Sequence, residues 1–546
     1  MVDHRWILGV WGCLGLVAGL ASAPALAADP LLRQRIDAEI RAVWQQHQVA
    51  PAPLADDATF LRRVYLDLVG IIPNYEETKR FLDDQDPNKR TKLIDQLLAD
   101  PRFGLHQADV WDMVLFGRNP PGNEASNRAG FHAWLQKQFN ENVAYDVWVR
   151  ALFQAEGNTV DHGAPMYLVQ YDRRPEDATE AITQTFLGVQ LQCARCHDHP
   201  FDEWKQRDFY GMAAFLARLQ TVNVGKAGQL NKIAIGEKET GDVLFSGPAT
   251  DQTPGKKGEP IKPKFLHGDE LQEPTPKTMS EARLPDGKMP SKPSFSRKDK
   301  LAEWITSPTN PYFAKAVANR VWGQFMGRGL AHPVDNLSDT NRPTHPVLLE
   351  ILTQAMIEHQ FDLKWFIREL CNSQTYQLAA TGSDTTDALP RWFERARVRP
   401  LSAEELLESW RVATGYEDAL KQAGQKIPED RFHGITWGYM IRFFGTPNNG
   451  VGDFQGGLHE HLFLNNGQVG QLITPNKGGL HNALMSTDAP WDQRVERLFL
   501  SVLNRPPRPQ ERAKFVAFLD TSDDQPGRVS EAIWALMTCS EFRFNH

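Results

Sequence analysis

Two cysteines and a histidine are grouped in the segment Cys-Ala-Arg-Cys-His at residues 193–197. Two thiols three residues apart can form thioethers with the two vinyl groups of one porphyrin, and the histidine that follows can bind its iron. The spacing therefore predicts one covalent haem c held by Cys193 and Cys196, with His197 as the iron ligand. Two alternatives stay open: a disulfide between the cysteines, and a zinc site that also uses His199.

Asp198 and His199 follow the motif directly and are the candidates for a supporting role. One interpretation gives them hydrogen bonds that tune or orient the haem, and the other makes them a pair that fixes the loop. The sixth iron ligand matters as well, because a methionine there suits electron transfer and an open position suits small-molecule chemistry. The candidates, which the sequence does not rank, are Met166, Met212, His162 and His132.

A second histidine cluster contains His459 and His461, with Asp453 ahead of them. On an extended segment the two histidines point to the same side, which suits a metal ion or an acid–base pair. No mechanistic spacing supports either chemistry, so a structural role is the first expectation. A non-haem metallohydrolase built on these residues is an alternative function.

The N-terminus is typical of a secretory signal. Arg5 precedes a mostly apolar run over residues 6–20, and Ala25 and Ala27 fit a small-residue cleavage site. We expect a signal peptide over residues 1–27 and a periplasmic or extracellular mature protein without a membrane span; an uncleaved anchor is the alternative. Export agrees with a haem that bacteria attach outside the cytoplasm.

Length and charge limit the class of protein. The chain has 546 residues, which predicts more than one domain. A net charge of −8 without a basic tail argues against a nucleic-acid partner. Five cysteines in a chain of this length do not make a disulfide scaffold, so the closely spaced pair needs an explanation of its own.

Hydrophobic periodicity predicts a mainly α protein. We expect Asp57 to cap the first helix and Gly70 to end it, Asp100-Pro101 to end the second, and the fourth to run straight into Cys193. Ser402 and Glu405 have the spacing of a capping box. The expected helices cover residues 57–70, 86–100, 134–153, 176–192, 310–327, 347–357, 363–370, 402–412, 495–503, 509–519 and 529–537, and the helical pattern resumes after the insert at Ser296.

The pattern changes between the two helical parts. Residues 221–293 are dense in glycine, proline and lysine, and residues 445–466 read as a loop rich in glycine and asparagine. Short β-like runs in the first of these segments cover residues 232–235, 242–245 and 262–266. We therefore expect a helical haem-binding domain over residues 28–220, a small β-containing insert over 221–295, and a helical domain over 296–546.

The chain resembles a pair of domains found widely in Planctomycetes. The first half is similar to the planctomycete cytochrome C-like domain of the second type, through residues 60–70, 97–104 and 186–201. The second half is similar to the partner domain that usually follows, through residues 310–322, 327–329, 345–346, 373–376, 504–507 and 541–546. The resemblance implies this architecture and one haem. It supplies no substrate, although the family's genes often accompany sulfatases and polysaccharide-degrading systems.

These observations predict an exported mono-haem protein that serves electron transfer or a haem-linked oxidation. The redox partner is unknown, and a partner from a polysaccharide or sulfatase system is implied by the resemblance alone. A cell-surface carbohydrate-binding or assembly protein is the alternative from another class.

Overall fold

The helix Asp57–Val69 begins and ends where local chemistry dictates. The carboxylate of Asp56, and not that of Asp57 as predicted, accepts the backbone N–H of Thr59 at 2.7 Å and caps the helix. Gly70 ends it in the left-handed conformation at φ +69°, as the sequence predicts. All residues from Phe60 to Val69 are buried, so the charged side chains on this helix need partners inside the protein.

The computed structural model describes most of the chain from residue 30 onward. The described residues are 30–118, 128–247, 258–275, 283–383, 390–425, 462, 464, 468–473, 478–521 and 523–546. The predicted signal peptide lies outside them, and so do His459, His461 and nearly all of the loop predicted over residues 445–466.

The protein is mainly helical, which confirms the predicted fold class. Helices before the insert are Leu32–His47, Asp57–Val69, Tyr75–Asp83, Lys89–Ala99, Pro101–Phe116, Arg128–Asn140, Tyr145–Phe153, Met166–Val169, Pro175–Ile182 and Gln206–Ala213. Helices after it are Arg297–Ile305, Phe313–Met326, Pro346–Glu358, Leu363–Cys371, Ala403–Thr414, Tyr416–Gln422, Leu480–Met485, Trp491–Val502, Pro509–Asp520, Gln525–Thr538 and Ser540–Arg543. Within the described ranges, none of these helices has the length and apolar character needed to cross a membrane.

The single helix predicted over residues 134–153 is wrong. The structure has two helices there, Arg128–Asn140 and Tyr145–Phe153. Asn142 adopts φ +51° between them, a left-handed conformation that asparagine tolerates better than most residues. A continuous helix cannot pass through that conformation, so the chain turns at this point.

The segment Asp100-Pro101 ends one helix, as predicted, but it also begins another. The carboxylate of Asp100 accepts the backbone N–H of Arg102 at 2.8 Å, and proline occupies the first turn of Pro101–Phe116. Proline is well suited to that position because its missing N–H would have no partner inside the helix. Asp100 and Pro101 thus end one helix and begin the next.

The insert contains the expected small sheets. Leu219–Ala227 pairs with Leu230–Glu237 as an antiparallel hairpin, and Val243–Phe245 pairs with Glu259–Ile261. The strand predicted over residues 262–266 is wrong, because the second sheet ends at Ile261 and Lys264 only forms an isolated bridge with Glu270.

Arg297 fastens the insert to the helices. Its Nη2 contacts Oδ1 of Asp242 at 2.8 Å and Oε2 of Glu273 at 2.6 Å, and its Nη1 donates to the carbonyl oxygen of Ala214 at 3.0 Å. Arg297 is 2% exposed. A buried guanidinium with satisfied donors holds the two segments in one position, because breaking any of these bonds leaves a charge without its partner.

Apolar side chains form two cores in the described part of the chain. The first draws on helices from both sides of the insert; for example, the ring of Tyr145 stacks on that of Phe313 with centroids 4.9 Å apart. The second is formed mainly by residues 401–542, and Leu66 and Ile72 join it from the N-terminal part. The two predicted helical domains therefore contact each other closely, and their limits remain a prediction.

Candidate functional site

The chain approaches the Cys-x-x-Cys-His segment through a break that the sequence did not predict. The helix Pro175–Ile182 continues as one π-helical turn, Thr183–Leu187, and ends at Gly188 with φ +66°. A side chain at Gly188 would meet Cδ1 of Leu337 at 2.8 Å, and the Leu337 N–H donates to the Gly188 carbonyl oxygen at 2.8 Å. The predicted helix over residues 176–192 is thus wrong in its last third, because a contact distant in sequence turns the chain before the motif.

Both cysteines of the motif are accessible. Cys193 lies in the short 3₁₀ helix Gln192–Arg195, and the backbone N–H groups of Cys196 and His197 both donate to its carbonyl oxygen at 3.2 Å. Cys193 and Cys196 are exposed free thiols, and His197 is exposed as well. Two thiols for attachment and one possible iron ligand are therefore accessible at the surface.

Arg195, between the cysteines, fixes the motif to its surroundings. Its Nη1 lies 3.0 Å from Oδ1 of Asp177 and 3.1 Å from Oε1 of Glu180. Partial burial opposes the charge, but these hydrogen bonds outweigh it and raise the pKa of the Arg195 guanidinium. The Arg195 carbonyl oxygen accepts the Tyr210 hydroxyl at 3.2 Å and Nε2 of Gln206 at 3.3 Å. Sequence reasoning missed this role, although Asp177 and Glu180 stand three residues apart on one helical face.

The tautomer of His197 follows from its hydrogen bond. Nδ1 lies 2.8 Å from the carbonyl oxygen of Asp198. A carbonyl oxygen can only accept, so Nδ1 carries the proton and the lone pair of the neutral ring is on Nε2. A histidine that binds a metal through Nε2 is commonly oriented in this way by a carbonyl group at Nδ1.

Asp198 and His199 direct their polar atoms into the loop. Oδ1 of Asp198 accepts the backbone N–H of Gln206 at 3.0 Å. Nδ1 of His199 accepts the backbone N–H of Asp202 at 2.9 Å, and the His199 N–H donates to the Trp204 carbonyl oxygen at 2.8 Å. These contacts favour the loop-fixing interpretation of the two residues, and any part they have at a haem remains a prediction.

Of the four candidates for a sixth ligand, three are engaged elsewhere. Met166 and Met212 are 0% and 2% exposed, within the first core. Nε2 of His132 lies 2.8 Å from Oδ1 of Asp109. His162 is exposed. The buried side chains of Met166, Met212 and His132 do not reach the surface where the motif is exposed. The sixth ligand therefore stays unassigned.

The zinc alternative at the motif receives no geometric support from the described residues. Among them, no three or more histidine, cysteine, aspartate or glutamate side chains converge in a way that could hold a metal ion. The zinc interpretation would need a lone pair on a ring nitrogen of His199. Nδ1 already uses its lone pair to accept a loop N–H, and the other nitrogen of a neutral ring then carries the proton.

The exposed residues fit the demands of covalent haem attachment. Attachment needs two free thiols, and iron ligation needs an imidazole nitrogen with its lone pair available; Cys193, Cys196 and His197 meet both conditions. Phe201 is 78% exposed in the same loop, which is unusual for a large apolar ring.

Comparison with protein families assigns two regions of the chain. Residues 35–221 match PSCyt2, a protein of unknown function (DUF1549), and residues 297–434 match PSD1, a protein of unknown function (DUF1553). The chain contains a PSCyt2 domain followed by a PSD1 domain. The PSCyt2 domain contains the whole Cys-x-x-Cys-His segment, and the sheets of the insert lie almost entirely between the two matched regions. No curated protein and no solved structure matches the chain.

Proposed function

We propose that this PSCyt2–PSD1 protein carries one covalent c-type haem and serves one-electron transfer or a haem-linked oxidation outside the cytoplasm. Cys193 and Cys196 would hold the porphyrin, and Nε2 of His197 would bind the iron. A haem bound there supplies an iron centre that gains and loses one electron. The cytochrome-like PSCyt2 domain supports the proposal.

The observation that carries the proposal is the state of His197. Its Nδ1 is committed to the Asp198 carbonyl oxygen at 2.8 Å, so Nε2 presents a lone pair beside two exposed free thiols. A histidine used only for structure would more often be buried with both nitrogens bonded. The residue is exposed instead, in the one place of the motif where iron ligation requires access.

The surrounding residues give this segment a fixed position. Arg195 is tied to Asp177 and Glu180 through its side chain and to Tyr210 through its carbonyl oxygen. Asp198 and Gln206 close the loop behind the motif. A prosthetic group attached here would be oriented by bonds that exist without it, which limits reorganisation during electron transfer. The redox partner and the link with polysaccharide systems are supported by the resemblance alone.

The test is a haem assay on the exported full chain. The protein is produced with its own N-terminal segment in a host that has c-type haem-attachment machinery, denatured, and examined as the pyridine haemochrome. We expect a c-type spectrum that stays with the denatured polypeptide in the wild type. Cys193→Ser with Cys196→Ser should lose the covalent haem, whereas Cys539→Ser, which removes a free cysteine elsewhere, should keep it.

The iron ligand is tested separately. His197→Ala should keep the thioethers and lose the native visible spectrum, because the iron loses a strong-field ligand. His359→Ala, at another exposed histidine, is the matched control and should leave the spectrum unchanged. The proposal is contradicted if the wild-type chain contains no haem when the same host attaches haem to a control cytochrome. It is also contradicted if His197→Ala keeps the native spectrum.

A further inference from the structure

The Cys-x-x-Cys-His motif lies in a segment that the PSD1 region contacts at both ends. This stretch, residues 188–204, is called the motif segment; the structure describes all of it, and its one helical element is the short 3₁₀ helix Gln192–Arg195. We infer that the PSD1 region, residues 297–434, positions the motif segment for attachment and iron ligation. The part of the inference that concerns haem rests on the function proposed above, and the part that concerns position does not.

At the first end, the PSD1 region supplies hydrogen-bond donors to the end of a helix. The last carbonyl groups of a helix have no partner within it and need donors from elsewhere. Nη2 of Arg320 donates to the Thr185 carbonyl oxygen at 3.2 Å, and the backbone N–H of Leu337 donates to that of Gly188 at 2.8 Å. Both donors belong to the PSD1 region, so a part of the chain that is distant in sequence closes the helix that leads into the motif.

A carboxylate of the PSD1 region fixes the same turn through side chains. Oδ2 of Asp335 accepts Nε2 of Gln184 at 2.7 Å, and Oε1 of Gln184 accepts Nε2 of Gln192 at 3.2 Å. Gln192 directly precedes Cys193. Two consecutive hydrogen bonds thus connect Asp335 with the motif, and the one to the carboxylate is of the stronger, charge-assisted kind.

The backbone at this end is in close contact with the PSD1 region. Thr183–Leu187 forms a π-helical turn, a rare conformation that is frequent at functional sites. Gly188 follows with φ +66°, and a Cβ at this position would meet Leu337 at 2.8 Å. Because no side chain separates the two segments here, a displacement of Leu337 would displace the start of the motif segment.

At the second end, aromatic rings hold Trp204. The ring of Tyr312, in the PSD1 region, meets that of Trp204 edge to face with centroids 6.4 Å apart. The ring of His267, in the insert, lies 4.8 Å from that of Trp204 and 6.3 Å from that of Tyr312. Aromatic rings at these separations attract each other. The Trp204 carbonyl oxygen accepts the His199 N–H at 2.8 Å, so the contact extends to the residue two positions after His197.

The PSCyt2 domain itself holds the middle of the motif segment. Arg195 is bonded to Asp177 and Glu180, and Asp198 to the backbone of Gln206. The middle is thus held by one domain and both ends by the other. Two thioethers and one iron ligand must meet a single rigid macrocycle, so the orientation of the segment matters as well as its place. Contacts at the two ends fix that orientation.

Hydrogen exchange of the full chain, produced without haem, tests the positioning. Asp335→Ala removes the acceptor of Gln184, so the amides of residues 192–197 should exchange about tenfold faster, the effect of losing one hydrogen bond to a charged group. Asp335→Asn keeps an acceptor oxygen and should restore most of the protection. Tyr312→Ala should accelerate exchange at His199, whereas Tyr312→Phe, which keeps the ring, should not.

Two references separate positioning from a general loss of stability. The helix Trp491–Val502 belongs to the second core, and its amides should exchange at the same rate in the wild type and in all variants. Asp339→Ala is the matched control, because it removes an exposed carboxylate four residues after Asp335; the motif segment should exchange in it as in the wild type. The inference is overturned if the motif segment exchanges at the wild-type rate in both Asp335→Ala and Tyr312→Ala, or if exchange rises equally in Trp491–Val502.

Haem-loaded variants test the consequence for the iron. Asp335→Ala and Asp335→Asn both remove one negative charge, but only alanine also removes the hydrogen bond. Their reduction potentials should therefore differ, with that of Asp335→Asn closer to the wild type, because hydrogen bonding around the ligands is one of the factors that set the potential of a haem. Equal potentials in the two variants would overturn the part of the inference that concerns haem. A wild type without haem would refute the function proposed above, and the exchange experiment would still decide whether the PSD1 region positions the motif.

Discussion

Protonation of His345 is expected to destabilise the fold in mild acid. The residue is 2% exposed and lies between aromatic rings, with Trp392 at 5.9 Å and Phe393 at 5.3 Å between centroids. Its Nδ1 lies 2.9 Å from Oγ1 of Thr344, while its Nε2 is buried without a partner in the described structure. Burial, with a smaller contribution from His47, lowers the pKa of His345 from 6.5 to about 4.

The size of the effect follows from this difference in pKa. Between pH 6.5 and about pH 4 the unfolded chain binds the proton and the folded protein does not, so the free energy of unfolding falls as the pH falls. The loss is about 2 kcal/mol on going from about pH 8 to about pH 5, and it levels off at about 3 kcal/mol below the folded pKa. Above about pH 7 the histidine is neutral in both states and contributes nothing.

The assay is urea unfolding followed by tryptophan fluorescence at the two pH values, for the wild type and His345→Gln. Glutamine keeps a polar group near Thr344 and does not titrate, so the wild type should lose about 2 kcal/mol more than the variant over this range. His359→Gln is the control, because it removes a histidine that is exposed. Its stability should change with pH as that of the wild type does. Identical pH dependence in the wild type and His345→Gln would refute the reasoning.

Two further predictions concern packing and buried polar groups. Gly188→Ala should lower the free energy of unfolding by about 1–3 kcal/mol more than Gly228→Ala. Both glycines have positive φ, but only at Gly188 does the new Cβ meet Leu337. Equal losses in urea unfolding would show that Leu337 moves aside without cost. Asn504→Ala should cost about 3 kcal/mol in the same assay, since it removes the Oδ1 that accepts Nη1 of Arg62 at 2.8 Å in the interior and leaves that charge less satisfied. A loss below about 1 kcal/mol would mean that water takes the place of the amide.

Elements governed by neighbouring residues were predictable from the sequence. Gly70 and Gly327 end helices in the left-handed conformation, and Ser402 with Glu405 forms the predicted capping box. The helix Tyr75–Asp83 was missed although its signal was present: Asn74 and Glu77 form a capping box of their own. That helix has only Thr78 and Phe81 buried, and the prediction followed apolar residues and did not use this capping signal.

Elements governed by distant contacts were not predictable. Nothing near Gly188 in the sequence indicates that Leu337 lies over it, and that contact decides where the helix before the motif ends. Cys193, Cys196 and His197 could be selected as candidate site residues from the sequence, because haem attachment constrains their spacing. Their exposure and the orientation of the His197 ring depend on the folded loop.

The buried charges of the helix Asp57–Val69 impose a sequence of events on the growing chain. Arg62 donates to a carbonyl oxygen 480 residues later, Arg63 to one 483 residues later, and Asp67 accepts from an amide 478 residues later. A polypeptide synthesised from its N-terminus must keep this helix hydrated until residues 542–546 have emerged, because burying unpaired charges is unfavourable. The interior around this helix is therefore completed only after residues 542–546 have been synthesised.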